Sequence, residues 1–201
     1  MSTTGSNLLN ALALPLRLVA SHDMLHRLGL RSMRDERVLA TLACCRGRLL
    51  DIGCGEGNHL VRAYEGPGVG VDVFGWPGID VLCDTTRLPF ADNTFQTVAM
   101  LATLNHIPNR RDVLRDCHRV LTSEGRLLIT MIGPFIGKLR HRLAWWDADQ
   151  TERTLAEGEL LGMDDAGLVR LLKETGFELE RRVRFVCGLN CLYVAKRLGP
   201  N

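Results

Sequence analysis

Acidic residues follow short apolar runs at three places in the chain, and a glycine-rich turn follows the first of them. Asp51 precedes the turn Gly53-Cys54-Gly55-Glu56-Gly57, and Asp72 and Asp84 each end a run of mostly apolar residues. The carboxyl ends of parallel strands meet at one edge of a sheet, so these carboxylates would lie side by side there. Glycines let a ligand approach the backbone where side chains would block it. The pattern predicts a site for a nucleotide-like cofactor.

The residues in and around the turn also discriminate between cofactors. A dinucleotide fingerprint places its third glycine three residues after its second, and this chain has Asn58 at that position. Asp51 stands two residues before Gly53, where its charge would repel a pyrophosphate. The turn therefore favours a cationic ligand over NAD.

Further motifs follow this turn in an order typical of one enzyme family. They are Val69–Asp72, Cys83-Asp84 with Leu88-Pro89-Phe90, Asp92–Val98, and Arg119–Leu121 with Gly125–Leu128. Together with the turn, the chain resembles the class I S-adenosylmethionine-dependent methyltransferases, within the small-molecule branch that includes the ubiquinone and menaquinone biosynthesis enzymes. The resemblance implies an α/β fold with a Rossmann-like, doubly wound and mostly parallel sheet that ends in an antiparallel hairpin.

The resemblance also assigns roles to residues of the predicted cofactor site. Asp51, Gly53 and Gly55 would surround the methionine part of S-adenosylmethionine. Asp72 would accept hydrogen bonds from both ribose hydroxyls, because both oxygens of a carboxylate accept. Asp84 would receive the adenine amino group. Taken singly, each acid could instead cap a helix or hold a loop. The full predicted set is completed by Cys54, Val73, Thr85 and Leu101.

Methyl transfer from a sulfonium needs alignment and exclusion of water, and removal of a proton where the acceptor is a hydroxyl. This chemistry requires no metal, and we predict no metal ligands. His106 follows the fourth predicted strand and is a candidate general base, or else it packs or bonds to the backbone. The residues that could also reach the acceptor are His22, Asp23, His26 and Asn190.

We therefore expect an S-adenosylmethionine-dependent methyltransferase that acts on a small molecule, most readily at a hydroxyl, and forms S-adenosylhomocysteine. The alternative is a non-catalytic module that binds the cofactor or its product. A net charge of +2 does not indicate a nucleic-acid partner. Seven cysteines without CxxC spacing favour reduced thiols and a cytoplasmic location. The sequence leaves the oligomeric state open.

Short apolar strands alternate with amphipathic helices, which predicts a parallel sheet covered on both faces. Only six residues separate Asp72 from Ile79, fewer than a parallel crossover normally needs, so either the connection is irregular or the pairing changes. Phe74 or Trp76 could then form the apolar wall of the adenine pocket, or Trp76 could fill the core. Strands are predicted near 48–52, 69–73, 79–83, 95–101, 126–132, 178–187 and 189–196, and helices near 110–121 and 164–175.

The length of 201 residues predicts a single domain, 1–201, with a helical leading region at about 8–46 and an acceptor-side insertion at about 133–160. The apolar run 8–20 is too short for a membrane span and predicts an amphipathic helix that either packs on the domain or lies on a membrane surface. The insertion carries a basic cluster beside two tryptophans. That cluster could bind an anionic acceptor, rest on a membrane to reach a lipid-linked one, or form a solvated helix face; its residues are Lys138, Arg140, His141, Arg142, Trp145 and Trp146.

Overall fold

A computed structural model describes residues 9–133, 160 and 162–199. The leading region holds the helices α1 (Leu14–Val19), α2 (His22–Arg27) and α3 (Met33–Leu42), preceded by helical residues 9–12. Serine side chains begin two of these helices, because the Ser21 hydroxyl accepts from Met24 N and the Ser32 hydroxyl accepts from Asp35 N. No helix in the described part of the chain has the length and apolar character needed to cross a membrane.

Strands and helices alternate through the middle of the chain and give way to a hairpin at its end. The elements in order are β1 (Leu49–Ile52), α4 (His59–Ala63), β2 (Gly68–Asp72), β3 (Val81–Leu82), β4 (Phe95–Leu101), a 3₁₀ turn (Leu104–His106), α5 (Arg110–Val120), β5 (Leu121–Ile132), α6 (Asp165–Glu174), β6 (Phe177–Phe185) and β7 (Asn190–Arg197).

The seven described strands form one sheet in the order β3-β2-β1-β4-β5-β7-β6. Strands β1 to β5 are parallel, and β7 pairs antiparallel with both β5 and β6. The predicted Rossmann-like sheet with a closing hairpin is confirmed. Because β1 lies between β2 and β4, the order of the strands along the sheet reverses at β1. In open α/β sheets, ligands bind in the crevice at the carboxyl ends of the strands at such a reversal.

Apolar side chains cover both faces of this sheet. Leu50 and Ile52 of β1 pack on the face that α5 covers, and Leu49 packs on the opposite face with Leu60 of α4. Asp51 alternates with Leu50 and Ile52 and so belongs to the Leu49 face. Helix α5 buries one stripe of side chains, as its spacing predicts: Val113, Leu114, Cys117 and Val120.

The third strand is shorter than the predicted range 79–83. The Asp80 carboxylate accepts from Gly70 N at 2.7 Å, so that N–H is not available to a backbone carbonyl of the neighbouring strand. The ladder between β2 and β3 begins one residue later, at Val71 and Val81. Residues 73–80, which connect the two strands, contain no helix. That this connection is shorter than in related proteins stays a prediction.

Strand β5 begins earlier than the predicted range 126–132. Leu121 already pairs with Phe95, and the ladder then shifts so that Thr97 pairs with Arg126. Residues 122–125 therefore form an irregularity in the strand rather than a turn before it. Most of the predicted insertion 133–160, including its basic cluster and tryptophans, lies outside the described residues.

Candidate functional site

The predicted acids lie along the crevice, but they differ in their exposure to solvent. Asp51 and Asp72 are buried, at 2% and 7% exposure, and interact with each other electrostatically. Asp84, two residues beyond β3, is exposed. The structure therefore brings two of the three carboxylates together beneath the glycine turn and leaves the third at the rim.

Gly53 and Gly55 have different structural roles in the turn. Gly53 has a φ of +69°, and a Cβ there would lie 2.1 Å from Cγ2 of Thr103, so this glycine is required for packing against the exit of β4. Gly55 has a φ of +64°, and a Cβ there would meet no described atom within 4 Å. Open space therefore lies beside Gly55, where a ligand can reach the backbone.

Asp72 joins the glycine turn to the exit of β2. Its Oδ2 accepts from Gly55 N at 2.9 Å, and its Oδ1 accepts from Phe74 N at 3.0 Å. Each carboxylate oxygen has a second lone pair and can accept one more hydrogen bond. The carboxylate is thus held in a fixed orientation and retains the capacity to accept from two hydroxyls.

Asp51 contributes a buried carboxyl group that lacks a complete set of partners. Among the described residues, Oδ1 of Asp51 has no hydrogen-bond donor. Burial raises the pKa of Asp51 to about 8, and the negative charge of Asp72 is the second, smaller cause of this shift. An unpaired buried carboxyl of this kind fits a ligand that brings a positively charged donor.

Apolar side chains are exposed at the neighbouring end of the crevice. Val73, Phe74 and Leu82 are exposed to 60%, 56% and 62%. The rings of Phe74 and Trp76 lie 4.4 Å apart between centroids. These side chains offer an apolar surface for a flat ring. Sequence reasoning missed Leu82, although its place between Val81 and Cys83 in a predicted strand indicates that it points to the opposite face.

Asp84 has a local structural task as well as a predicted one. Its Oδ1 accepts from both N and Oγ1 of Thr86, at 2.9 Å and 2.8 Å, and these bonds hold the pKa of Asp84 below its usual value. Thr85 beside it is buried. The loop-holding alternative therefore applies to Asp84, and its contact with a cofactor stays a prediction.

The exit of β4 closes the crevice on the other side. Ala102 has a φ of +56°, which L-residues rarely adopt, and its N–H donates to Oγ1 of Thr130 at 3.0 Å. The Thr103 hydroxyl donates to the Gly53 carbonyl at 3.2 Å. Leu101 is half-buried, and His106 lies half-buried in the 3₁₀ turn that follows. The role of His106 as a base stays a prediction.

Asn58, at which the turn departs from a dinucleotide fingerprint, has a structural role of its own. It adopts a left-handed φ of 47°, is buried, and donates from Nδ2 to Oδ2 of Asp80 at 2.8 Å. A Cβ on Gly70 would lie 2.3 Å from Oδ1 of Asn58, so the two residues are packed together. Asn58 therefore fastens the turn to β2 and to the connection that leaves it.

The other residues predicted near the acceptor lie in two places. His22 and His26 of α2 meet Asp35 of α3, whereas Asp23 is exposed on the same helix. Asn190, at the start of β7, pairs with Ile132 at the carboxyl end of β5. Its side chain is buried, and its Nδ2 has no acceptor among the described residues.

Comparison with known sequences finds methyltransferases. A family model described as "Methyltransferase domain" matches residues 73–129. A demethylmenaquinone methyltransferase of Thermotoga maritima is 31% identical over 114 residues, which are 49% of this chain and 50% of that protein. A 27-O-demethylrifamycin SV methyltransferase of Amycolatopsis mediterranei is 32% identical over 106 residues, 41% of this chain and 37% of that protein. The chain thus matches about half, or less, of these relatives' length.

Comparison with solved structures finds the same fold. A structure described as an S-adenosylmethionine-dependent methyltransferase, possibly a histamine N-methyltransferase, from Thermotoga maritima has a TM-score of 0.63 and 17% identity. It is matched over 81% of this chain and 88% of its own. A methyltransferase structure from Bacillus halodurans has a TM-score of 0.60 and 18% identity over 83% of this chain and 100% of its own. Identities this low show similarity of fold alone.

Proposed function

We propose that this chain, which in sequence and fold resembles the class I S-adenosylmethionine-dependent methyltransferases, binds S-adenosylmethionine and transfers its methyl group to a small molecule. The observation that carries this proposal is the pair of buried carboxylates, Asp51 and Asp72, beneath a glycine turn with open space beside Gly55. The cofactor has a cationic methionine part and a ribose with two hydroxyl donors. The donors and acceptors of the site fit both parts.

Different residues of the site would bind different parts of the cofactor. Asp72, fixed by Gly55 N and Phe74 N, would accept the ribose hydroxyls with its remaining lone pairs. The unpaired Asp51 carboxyl would face the methionine ammonium group. The exposed side chains of Val73 and Leu82 would cover the adenine ring. Each contact satisfies a group that is open to a ligand.

S-adenosylmethionine supplies an activated methyl group, and S-adenosylhomocysteine is the product that leaves. The protein must hold the acceptor in line with the methyl group and keep water out. For a hydroxyl acceptor, a ring nitrogen of His106 would take the proton as the oxygen attacks. The unpaired Nδ2 of Asn190, at the same edge of the sheet, would donate to an acceptor oxygen.

The acceptor is proposed to be a small molecule rather than a nucleic acid or a protein. The relatives described above are named for a menaquinone precursor and a rifamycin derivative, which supports acceptors of that size. A lipid-linked acceptor reached at a membrane surface would also fit such chemistry. We expect the protein to act in the cytoplasm, where its free cysteines would stay reduced.

Calorimetric titration of S-adenosylmethionine and S-adenosylhomocysteine into wild type and Asp72→Asn tests the site. Asparagine keeps one acceptor for the backbone donors but loses the charge and one acceptor oxygen, so we expect binding at least about thirty-fold weaker, or about 2 kcal/mol. The matched control is Asp112→Asn, which removes an exposed carboxylate on α5 and should leave the affinity unchanged.

Two results would contradict the proposal. One is wild-type affinity in a folded Asp72→Asn protein, which would remove Asp72 from the ribose site. The other is the absence of cofactor binding by wild type. Saturable binding without transfer to any of a broad panel of hydroxylated small molecules would favour the non-catalytic module instead.

A further inference from the structure

Two histidines and one aspartate meet where α2 packs against α3. His22 and His26 are four residues apart on α2, so their rings project from one face of the helix, with centroids 4.1 Å apart. Asp35, in the first turn of α3, places Oδ2 3.1 Å from Nε2 of His26 and 3.9 Å from Nδ1 of His22. One possible ligand atom from each of the three residues lies within 4.8 Å of the other two.

These separations are close to those of a coordinated metal ion. Zinc binds nitrogen and oxygen at about 2.0–2.1 Å, which places tetrahedral ligand atoms about 3.3 Å from one another. The observed distances of 3.1 Å and 3.9 Å lie on either side of that value, so both histidine nitrogens are near tetrahedral spacing from Oδ2 of Asp35. Two imidazoles and a carboxylate favour zinc, cobalt or nickel over magnesium or calcium, which prefer oxygen ligands.

Ser32 already orients two of the three side chains. Its buried hydroxyl lies 2.9 Å from Nδ1 of His22 and 2.8 Å from Oδ2 of Asp35. Ser32 N also donates to the same carboxylate oxygen at 2.8 Å, as part of the capping box that begins α3. These bonds hold the two side chains toward the same point before a cation arrives. Because His22 Nδ1 must lose its proton to bind a metal, a cation there would replace the bond between this nitrogen and the Ser32 hydroxyl.

We propose that His22, His26 and Asp35 bind a divalent transition-metal cation, with zinc as the best match, which ties α2 to α3 beside the glycine turn. The His59 ring at the start of α4 lies 6.5 Å from the His22 ring and packs against Gly57. The cation would therefore sit next to the turn of the proposed cofactor site. Three protein ligands leave a coordination position for water. The methyl transfer proposed above does not require this cation.

The test uses the full, tag-free chain after treatment with a chelator, titrated with Co²⁺ and followed by visible absorption. We expect one Co²⁺ per chain with ligand-field bands but without a thiolate charge-transfer band, displacement by Zn²⁺, and no displacement by Mg²⁺. His26→Ala and Asp35→Asn should weaken binding at least about tenfold. The control Asp112→Asn removes an exposed carboxylate on α5, away from this cluster, and should leave the affinity unchanged.

The spectrum separates this site from the seven free cysteines of the chain, of which Cys187 is exposed. A thiolate band, equal affinities in wild type and His26→Ala, or no saturation at about 1 mM Co²⁺ would each overturn the proposal. The His26 side chain is 56% exposed, so its truncation should leave the fold intact. Circular dichroism checks that point, and cofactor titration of the same variants keeps this result separate from that of the proposed function.

Discussion

The ionisation of Asp51 should depend on what occupies the crevice. Its carboxyl is buried, one oxygen lacks a partner among the described residues, and its pKa is raised to about 8, chiefly by burial and also by Asp72. A cation beside it would stabilise the ionised form. The free protein should therefore hold this acid largely protonated at neutral pH and give up the proton when a cationic ligand binds.

Proton release on cofactor binding tests this account of Asp51. Calorimetry at pH 7 in two buffers of different ionisation enthalpy measures the protons exchanged. We expect wild type to release more protons than Asp51→Asn, by up to about one per cofactor bound. Equal values for the two proteins would contradict a change in the ionisation of Asp51 on binding.

The same carboxyl should make stability depend on pH. A folded pKa of about 8 exceeds the unfolded value of about 3.9, so between these values the folded state binds more protons and loses stability as pH rises. Asp51→Asn removes this dependence. The melting temperature of the variant relative to wild type should therefore increase from pH 5 to pH 8, and a constant difference would contradict the raised pKa.

His106 offers a test of the proposed hydroxyl chemistry. His106→Ala should leave cofactor affinity unchanged, because no cofactor contact is assigned to this residue. Its methyl transfer to a hydroxylated acceptor should be slower by about 10²-fold or more. A variant with the rate of wild type would show that another group, or none, removes the proton.

At the scale of elements, the glycine turn separates packing from ligand access. Gly53→Ala would place a Cβ 2.1 Å from Thr103 Cγ2 and so should destabilise the fold by about 2 kcal/mol or more in urea denaturation. Gly55→Ala meets open space and carries only the cost of its left-handed backbone, about 1 kcal/mol. The larger effect of Gly55→Ala should be on cofactor affinity, because the alanine side chain enters the space beside the turn.

The two glycine variants control for each other. If Gly55→Ala binds S-adenosylmethionine as wild type does, the open space beside it is not part of the cofactor site. If Gly53→Ala is as stable as wild type, the exit of β4 must be able to shift. Both proteins should be compared at equal folded fractions, so that lost affinity is not confused with lost structure.

The local sequence pattern predicts the elements that form because of the burial of their own side chains. The short apolar run that ends β4 (Phe95–Leu101) and the apolar stripe of α5 each follow from side chains that must be buried, and both ranges agree closely with the structure. The start of β5 does not, since Thr122–Gly125 resembles a turn and joins the strand only through a shifted pairing with β4. Pairing of that kind depends on the neighbouring strand.

The site shows the same division. The positions of Asp51 and Asp72 at strand ends are visible in the chain, but the unequal burial of the three acids depends on how the turn folds back over β2. The meeting of His22, His26 and Asp35 depends on the packing of two separate helices. Spacing along α2 places the two histidines on one face, yet it does not indicate that a carboxylate faces them.

At the scale of the whole molecule, Arg17 explains how the leading helices join the rest. Although it lies in an apolar run, Arg17 is 3% exposed and donates to Glu36 of α3 at 2.8 Å. It also donates to the carbonyls of Arg31 and Asn10, at 2.7 Å and 2.9 Å. Helix α3 in turn contacts α4 and the sheet. One buried guanidinium thus links α1 to α3, which packs on the domain.

Arg17→Ala should therefore destabilise the protein by about 2–4 kcal/mol, because it leaves a partly buried carboxylate and two carbonyls without their donor. The matched control is Arg111→Ala, which breaks an exposed pair with Glu174 and should cost less than about 1 kcal/mol. Urea denaturation measures both. Equal effects would mean that the buried hydrogen bonds of Arg17 contribute no more to stability than an exposed ion pair.

The sheet has the strand order and the closing hairpin that the family resemblance implies. The motifs alone predict this, because each motif belongs to a strand and to the residues that follow it. What the motifs do not contain is the acceptor. The relatives are matched over about half their length or less, and the insertion predicted to face the acceptor lies largely outside the described residues.

We propose that S-adenosylmethionine lies in the crevice between β1, β2 and β4, and a crystal structure with S-adenosylhomocysteine bound would decide this. We expect ribose hydroxyls within hydrogen-bond distance of both Asp72 oxygens, the methionine ammonium group beside Asp51, and adenine between Val73 and Leu82. A ligand bound elsewhere on the protein, or one in the crevice that leaves Asp51 and Asp72 without contact, would contradict it.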